Sequence, residues 1–184
     1  FTLFTSITTI AQIEGDKLFK NDQIVTIELT FHQTSFFDSL EANYVNGEYM
    51  KADLVFTDST GTYSYPEVGV RLKGNSTYNH PNNKKAFKID FNEYVSGQKH
   101  DGLKKLNLQN GFSDPSMMRD VLAYKLFREA GIPAPRTAYA KVYLNNTYWG
   151  LYIMVEQINK TFLKENFSDN DGNLFKCIDN TDLE

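Results

Sequence analysis

The stretch Val70–Phe91, VRLKGNSTYNHPNNKKAFKIDF, joins two alternating runs through a polar turn. Five of the chain's 19 basic residues lie in it: Arg71, Lys73, Lys84, Lys85 and Lys88. Asp90 is its one acidic residue, although the whole chain of 184 residues carries a formal net charge of −4. Alternation in both arms predicts a β-hairpin, and the hairpin is the starting point for the rest of the fold.

The same alternation predicts which side chains share the polar face of this hairpin. The apolar positions are even-numbered in the first arm and odd-numbered in the second. Arg71 and Lys73 therefore point away from the apolar face, and Lys88 joins them if the arms pair antiparallel. Gly74 permits a positive φ, so that backbone amides can approach an anion. We expect this surface to bind phosphate. The alternative is a solvated face, because the turn is neither a Walker A nor a G-x-G-x-x-G sequence.

Length and composition fit one globular domain, or one lobe of something larger, that is mildly acidic. Hydrophobic residues make up 41% and aromatic residues 14%, which suffices for a hydrophobic core. The negative net charge argues against general binding of nucleic acid or of anionic membranes. No run of 18 apolar residues occurs, so we expect no membrane span. The one cysteine, Cys177, excludes an internal disulfide and a thiolate-rich zinc site, and we expect it in or near a strand.

Periodicity predicts strands, one capped helix and a further hairpin. Alternation occurs in DQIVTIELTF, YMKADLVFTD, VGVRLKG, KKAFKIDF, LKKLNLQN, RTAYAKVYLN and YWGLYIMVEQI. A short helix or turn is indicated in TSFFDSLEANY, a helix in NKTFLKENF, and a loop or hairpin tip in DSTGTYSYPE. A longer helix is indicated from about Pro115 to Ala130, with Asp114 or Ser113 as cap and Gly131 as stop. We predict an α+β fold with a mainly antiparallel sheet and this helix packed on one face.

Arg119 is an unusual residue on that helix. At 100° per residue it falls on an apolar stripe with Leu122, Ala123, Leu126 and Ala130. A buried guanidinium there needs a carboxylate, carbonyl or phosphate partner. The alternative is an arginine that extends from the helix end into solvent.

The other polar residues predict no metal site. His32, His80 and His100 lack metal-ligand spacing, and we expect them on the surface or in loops. The acidic residues near the end fit a solvated turn better than a calcium loop: Asp169, Asp171, Asp179 and Asp182. Four N-x-S/T sequons, at Asn75, Asn145, Asn159 and Asn166, would indicate secretion only in a eukaryotic protein.

Several of these stretches together resemble the CotH family, the spore-coat-type atypical protein kinases. They occur in order from about Val68 to Lys176 and include VGVRLKGNST, NKKAFKIDF, LKKLNLQN and DGNLFK. The most specific part is the helix start D-P-S-x-x-R, followed by G-I-P-A-P-R and W-G-L-Y-x-x-V-E-Q. Residues 22–66 fit the family's leading strands more loosely.

The resemblance implies a kinase-like protein of two lobes. Residues 67–158 would form the nucleotide-binding lobe, with residues 1–66 as leading strands and loops of the same domain. Residues 159–184 would be the helix and strand after the hinge, at the start of a second lobe. The fold would thus resemble a kinase N-lobe plus the start of a second lobe.

The resemblance also implies roles for individual residues toward ATP. The implied contacts are Arg71, Lys73, Gly74, Asn75, Ser76, Lys88, Lys104, Arg119, Val155, Glu156 and Gln157. The phosphates would lie at the basic hairpin and its turn, and adenine would lie at the last three of these residues. The phosphate-pairing lysine is left open among Lys88, Lys104 and Lys105. An arginine at position 119 departs from ordinary kinases, which have a glutamate there, but matches this family.

Two classes of function follow from the resemblance. The first is a protein kinase that uses ATP and Mg²⁺ to phosphorylate Ser or Thr hydroxyls of a protein substrate. Its catalytic and metal-binding aspartates are expected downstream of Glu184, so we expect residues 1–184 alone to be inactive. The alternative is a binding or adhesion module of the same fold without catalysis. The expected location is the spore coat, the cell surface or the secreted fraction.

Overall fold

The computed structural model describes residues 13–19, 23–79, 82–169 and 171–175. Within them the chain forms seven strands and three helices. In order these are β1 Ile24–Thr30, α1 Phe36–Ala42, β2 Met50–Asp58, β3 Gly61–Lys73, β4 Ala86–Asp90, β5 Lys105–Gln109, α2 Arg119–Glu129, β6 Thr137–Leu144, β7 Thr147–Val155 and α3 Lys160–Asn166. Each run predicted as a strand overlaps one of the seven, but β3 begins at Gly61, well before its predicted run. The stretch DSTGTYSYPE, predicted as a loop or hairpin tip, is the tip of the β2–β3 hairpin, and most of it belongs to the end of β2 and the start of β3.

The strands form one closed barrel. Their order around it is β1-β2-β3-β4-β5-β7-β6, and β6 returns to pair with β1. This last pairing is parallel, whereas the other six are antiparallel. A closed barrel leaves no strand with a free edge, so every strand has a hydrogen-bonded neighbour on both sides.

The barrel interior is a hydrophobic core built by alternate residues of each strand. Fully buried members are Val25, Ile27, Leu29, Ala52, Leu54, Phe56, Val68, Val70, Leu72, Phe87, Ile89, Leu106, Leu108, Ala140, Val142, Tyr152 and Met154. The short helix α1 adds Leu40 to this core. The inward-pointing side chains fill the barrel, so the polar side chains that alternate with them point outward.

The predicted fold class, an α+β kinase-like lobe with a packed helix, is therefore wrong. The sheet closes on itself, and α2 buries none of its residues. Leu122 is 52% exposed and Leu126 66% exposed, although both lie on the stripe that was expected to pack. The core does not require α2, because the barrel is filled by its own strands together with Leu40 of α1. The helix also starts at Arg119, four residues later than predicted, because Met117 has a φ of +57° and interrupts the helical path.

His100 is buried, although it lies in the loop between β4 and β5. Its Nδ1 is 2.7 Å from the Tyr65 hydroxyl, and its ring packs against Phe56 and Phe91. Its Nε2 has no hydrogen-bond partner among the described residues and lies 4.0 Å from a carboxylate oxygen of Asp58. His100 thus lies in a loop, as expected, but it is not on the surface. His32 does lie on the surface, and His80 and Cys177 are outside the described residues.

The side chain of Asn145, in the β6–β7 turn, fixes the residue that follows β1. Its Oδ1 accepts a hydrogen bond from Phe31 N–H at 2.7 Å, and its Nδ2 donates to Phe31 C=O at 3.1 Å. Its own N–H donates to Leu29 C=O at 2.9 Å. Asn145 and Asn146 have φ values of +46° and +64°, a region that asparagine tolerates better than most residues. Asn145 and Asn146 thus form the tight turn, and the side chain of Asn145 also holds the end of β1.

Replacement of Asn145 by glycine should destabilise the barrel. Glycine keeps the positive φ but removes two hydrogen bonds to Phe31, so we expect a loss of about 1–3 kcal/mol in the free energy of unfolding. Asn146→Gly is the matched control, because its side chain is exposed and its loss should change stability by less than about 0.5 kcal/mol. Denaturant unfolding of the purified protein measures both. Equal stabilities of the two variants would contradict a stabilising role of the Asn145–Phe31 hydrogen bonds.

The stability of the protein should fall as the pH is lowered through the histidine range. Burial lowers the pKa of His100, while Asp58 and Asp101 oppose this shift. The unfolded chain therefore binds this proton more readily than the folded chain does, and stability is lost as the pH falls below about 6.5. Tyr63 and Tyr65 are the other ionisable groups that face the ring. We expect His100→Phe to flatten the change in thermal stability between pH 7.5 and 5.5, whereas His32→Asn, at an exposed position, should retain it. An unchanged slope in His100→Phe would contradict the assignment.

Candidate functional site

Three of the cations predicted to bind phosphate lie together on the outside of the barrel. Strands β3 and β4 pair antiparallel, with Arg71 opposite Lys88 and Lys73 opposite Ala86. Their neighbours Leu72 and Phe87 point into the core and are fully buried. The structure thus brings Arg71, Lys73 and Lys88 onto one surface, as alternation along the two arms requires.

The strand register continues this outward-facing position as a row across four strands, although the last two members, Asn107 and Val155, are buried. The register places Arg71, Lys88, Asn107 and Val155 next to one another on β3, β4, β5 and β7. We call these four residues the outer row. Three strand spacings separate its ends, a distance of about 14 Å. Asn107 ties the row to the segment after β7, since its Nδ2 lies 3.3 Å from both Val155 C=O and the Gln157 Oε1. The predicted phosphate and adenine regions therefore occupy opposite ends of one row.

Arg71 is oriented by an aromatic ring. Its guanidinium lies 5.4 Å from the centroid of the Tyr49 ring, within the range of a cation–π contact. One of its nitrogens is also 3.4 Å from the Leu72 carbonyl oxygen. Because Arg71 is only half-buried, its guanidinium keeps donors available to a ligand at the surface.

The three lysines proposed for phosphate pairing have different environments. Lys105 forms an ion pair of 2.7 Å with the buried Asp90, and this hydrogen bond raises the pKa of Lys105. Lys104 is exposed beside it. Lys88 is half-buried, directly opposite Arg71 in the outer row. Among the three, Lys88 is the one that pairs directly with Arg71 across the strands, whereas Lys105 is held by Asp90.

The turn after β3 requires glycine at position 74. Gly74 has a φ of +89°, and a Cβ atom built there would lie 1.8 Å from the Thr77 Oγ1. A side chain at this position would therefore displace the following turn. In that turn the Asn75 carbonyl accepts hydrogen bonds from the N–H groups of Tyr78 and Asn79. Asn75 and Ser76 themselves are exposed at its tip.

Residues outside the turn hold it against the barrel. The Tyr44 hydroxyl donates to Gly74 C=O, and the Tyr44 ring stacks on the Tyr78 ring with centroids 3.4 Å apart. From the other side, the buried Lys85 donates from Nζ to Tyr78 C=O at 2.7 Å. Tyr44 comes from the segment after α1, so residues before the hairpin position the turn. Sequence reasoning did not identify either residue as a support.

Arg119 lies at the start of α2 and is not part of the outer row. Its side chain is 71% exposed and donates to Ser113 C=O at 2.8 Å. Its backbone N–H donates to the Asp114 carboxylate at 2.8 Å, and its Nε is 3.8 Å from the same group. Hydrogen bonds from Ser116 and from this N–H lower the pKa of Asp114. Carbonyl and carboxylate partners are thus present, although the arginine is exposed.

Glu156 makes a buried ion pair with Arg136, a residue that sequence reasoning missed. Its two carboxylate oxygens accept from Arg136 Nε at 3.0 Å and from Nη2 at 2.5 Å. Glu156 N–H also donates to Arg136 C=O at 3.0 Å, and Arg136 N–H donates to the Glu156 carboxylate at 3.0 Å. Glu165 of α3 lies 3.4 Å from the same guanidinium. The pair joins the end of β7 to the segment before β6. In the sequence, the one indication of such a contact was that both residues belong to motifs that resemble the family, G-I-P-A-P-R and V-E-Q.

Neither a metal centre nor a membrane segment is found in the part of the chain that the structure describes. No three His, Cys, Asp or Glu side chains there are grouped so as to hold a metal ion. None of its helices combines the length and the apolar character needed to cross a membrane. Asp179 and Asp182 lie outside the described residues.

Two comparisons with known proteins agree with the sequence motifs. The family model described as CotH kinase protein matches residues 70–184. The inner spore coat protein H of Bacillus subtilis (strain 168) is 29% identical over 97 residues. This match covers 52% of the present chain and 25% of that relative, so the chain corresponds to about a quarter of its length. Because the family model covers well over half of the sequence, the chain belongs to the CotH kinase protein family.

Proposed function

We propose that this chain binds ATP for a CotH-type protein kinase, which transfers a phosphoryl group to Ser or Thr hydroxyls of a protein substrate. Membership of the family supports the reaction class. The outer row supports the position of the nucleotide, with the phosphates at Arg71 and Lys88 and adenine toward Val155. Lys73 and the turn at Gly74 lie beside the phosphate end.

The observation that carries this proposal is the direct pairing of Arg71 with Lys88. The two cations are direct neighbours across antiparallel strands, so their side chains project from the same part of the outer surface. A polyphosphate is a ligand that can accept hydrogen bonds from two such neighbouring cations at once. Arg71 is also held by Tyr49, which reduces the side-chain entropy lost when a ligand binds.

The adenine end is proposed on the side of Val155, Glu156 and Gln157. Gln157 is the member best placed to contact a ligand, because it is partly exposed and lies next to Asn107 in the row. Glu156 is buried against Arg136, so we assign it the role of orienting this end. Arg119 and Lys104 are proposed as secondary contacts that contribute positive charge.

Bound Mg²⁺ would neutralise charge that develops on the transferred phosphoryl group. The described residues contain no group of acidic side chains suited to hold it. The residues of this chain are therefore proposed to bind and orient the nucleotide, and the metal ligands and the catalytic base are proposed to lie elsewhere in the protein.

Loss of either cation of the pair should weaken ATP binding. A charge-assisted hydrogen bond contributes about 1.5–3 kcal/mol, so Arg71→Ala or Lys88→Ala should lower ATP affinity about 10- to 100-fold. Lys164→Ala is the matched control, since Lys164 is an exposed lysine on α3. Calorimetry with ATP and Mg²⁺, on the natural protein that carries this sequence, gives the dissociation constants. Parent-like affinity in both folded variants would contradict the phosphate assignment.

A second candidate function is favoured by the name of the relative, which places that protein in a spore coat. In this case the same barrel would serve as a binding module on a coat or cell surface without catalysis. We propose such a location under either function. Transfer of labelled phosphate to a protein by the natural protein separates the two, because a binding module would show none even when it is saturated with ATP and Mg²⁺.

A further inference from the structure

Residues 13–19, the described segment before β1, pack against the barrel. Leu18 and Phe19 belong to the hydrophobic core and are 1% and 6% exposed. The segment forms a single turn, in which Phe19 N–H donates to Gly15 C=O at 3.0 Å. We call residues 13–19 the strap. The family model matches residues 70–184, so the strap lies outside the matched region, and none of its residues has been assigned to the nucleotide.

The backbone of the strap is fixed against the loop between β4 and β5. Gly15 N–H donates to Asp101 C=O at 2.7 Å, and Lys17 N–H donates to Asp101 Oδ2 at 2.8 Å. Gly15 has a φ of +76°, and a Cβ atom built there would lie 2.6 Å from the Leu103 Cδ1. The strap therefore approaches this loop so closely that a side chain at position 15 would have to displace Leu103.

Glu14 connects the strap to two other parts of the chain. Its C=O accepts a hydrogen bond from Arg136 Nη2 at 2.6 Å, and its Oε2 accepts one from the Thr161 hydroxyl of α3 at 3.2 Å. Phe19 adds a second contact to Arg136, because its ring centroid lies 5.1 Å from the guanidinium carbon, within the range of a cation–π contact. The strap thus meets Arg136 at two points and α3 at one.

Arg136 in turn holds the end of β7 that was assigned to adenine. It forms the buried ion pair with Glu156, and Glu165 of α3 lies 3.4 Å from the same guanidinium. Apart from the cap of α3 at Asn159, each side-chain hydrogen bond or ion pair between α3 and the rest of the described residues involves Glu14 or Arg136. The contacts of the strap therefore fix Arg136, the end of β7 and α3 relative to one another.

We propose that the strap is a positioning element of the nucleotide site, an inference that rests on the adenine assignment proposed above. Glu14 touches no ligand in this arrangement. It acts through Arg136 and Thr161, and it keeps residues 155–157 in the conformation that receives adenine. A site that is already held in its binding conformation loses less entropy when the ligand arrives, so its affinity for that ligand is higher.

The phosphate end of the outer row should not depend on the strap. Lys88 and Arg71 lie two and three strand spacings from Val155, about 10 Å and about 14 Å. None of the hydrogen bonds that the strap makes to the described residues involves β3 or β4. Loss of positioning should therefore weaken the contact with adenine alone, whereas a general loss of folded structure would weaken both ends of the site.

Binding of ATP and of inorganic tripolyphosphate to the natural protein, each measured by calorimetry with Mg²⁺, tests this inference. Glu14→Ala and Thr161→Val each remove the side-chain hydrogen bond between the strap and α3. We expect each variant to lower ATP affinity about three- to tenfold and to change tripolyphosphate affinity less than about twofold. Lys17→Ala is the matched control within the strap, because this side chain is exposed and the hydrogen bond to Asp101 is made by the backbone. Both of its affinities should equal those of the parent.

The double variant, Glu14→Ala with Thr161→Val, tests the route of the effect. Since both changes remove the same hydrogen bond, the double variant should bind ATP about as weakly as the weaker single variant. Losses that multiply would contradict a role through this contact. If Glu14→Ala fails to fold, Thr161→Val still decides, because Thr161 is only half-buried.

Failure of this inference and failure of the proposed function give different results. Parent-like ATP affinity in the folded single variants, or an equal loss of tripolyphosphate affinity, would overturn the positioning role and leave the nucleotide assignment intact. A parent that binds no ATP would contradict the proposed function itself, and the role of the strap would be refuted with it.

Discussion

The parallel pairing of β1 with β6 is the constraint on which the rest of the structure depends. Six residue pairs, from Ile24 with Tyr139 to Leu29 with Leu144, turn a seven-stranded sheet into a closed barrel. Once the barrel is closed, its interior is filled mainly by apolar side chains, and the polar residues that alternate with them along β3 and β4 point outward. The basic residues of β3 and β4 are thereby held on a surface whose backbone is paired on both sides. A ligand on this surface meets a rigid support and causes little loss of backbone entropy when it binds.

Local regularities of the sequence predicted much of this surface. Alternation with a period of two depends only on neighbouring residues, so it correctly located the strands and placed Arg71, Lys73 and Lys88 on one face. The need for glycine at position 74 was also local, because a turn with positive φ is specified by a few residues. The family resemblance added the ATP assignment, which rests on motifs and not on these periodicities.

Contacts between distant parts of the chain could not be read from such patterns. Closure joins strands more than a hundred residues apart, and the apolar stripe on α2 gave no sign that Leu122 and Leu126 would stay exposed. Amphipathic spacing predicts a helical face but not the presence of a surface to receive it. The ion pair of Arg136 with Glu156 and the burial of His100 likewise depend on which loops meet. Lys84 was visible in the sequence only as one basic residue among several.

Hydrogen exchange of individual backbone amides tests closure at the β1–β6 seam most directly. If the barrel is closed, consecutive amides along Ile24–Thr30 and along Thr137–Leu144 should all be protected, as they are expected to be along β4, which lies between β3 and β5. In an open sheet β1 would be an edge strand with a partner on one side only. Its amides would then alternate between slow and fast exchange. Continuous protection on both strands is the predicted result, and alternating protection along β1 would contradict the closed barrel and the rigid outer surface that depends on it.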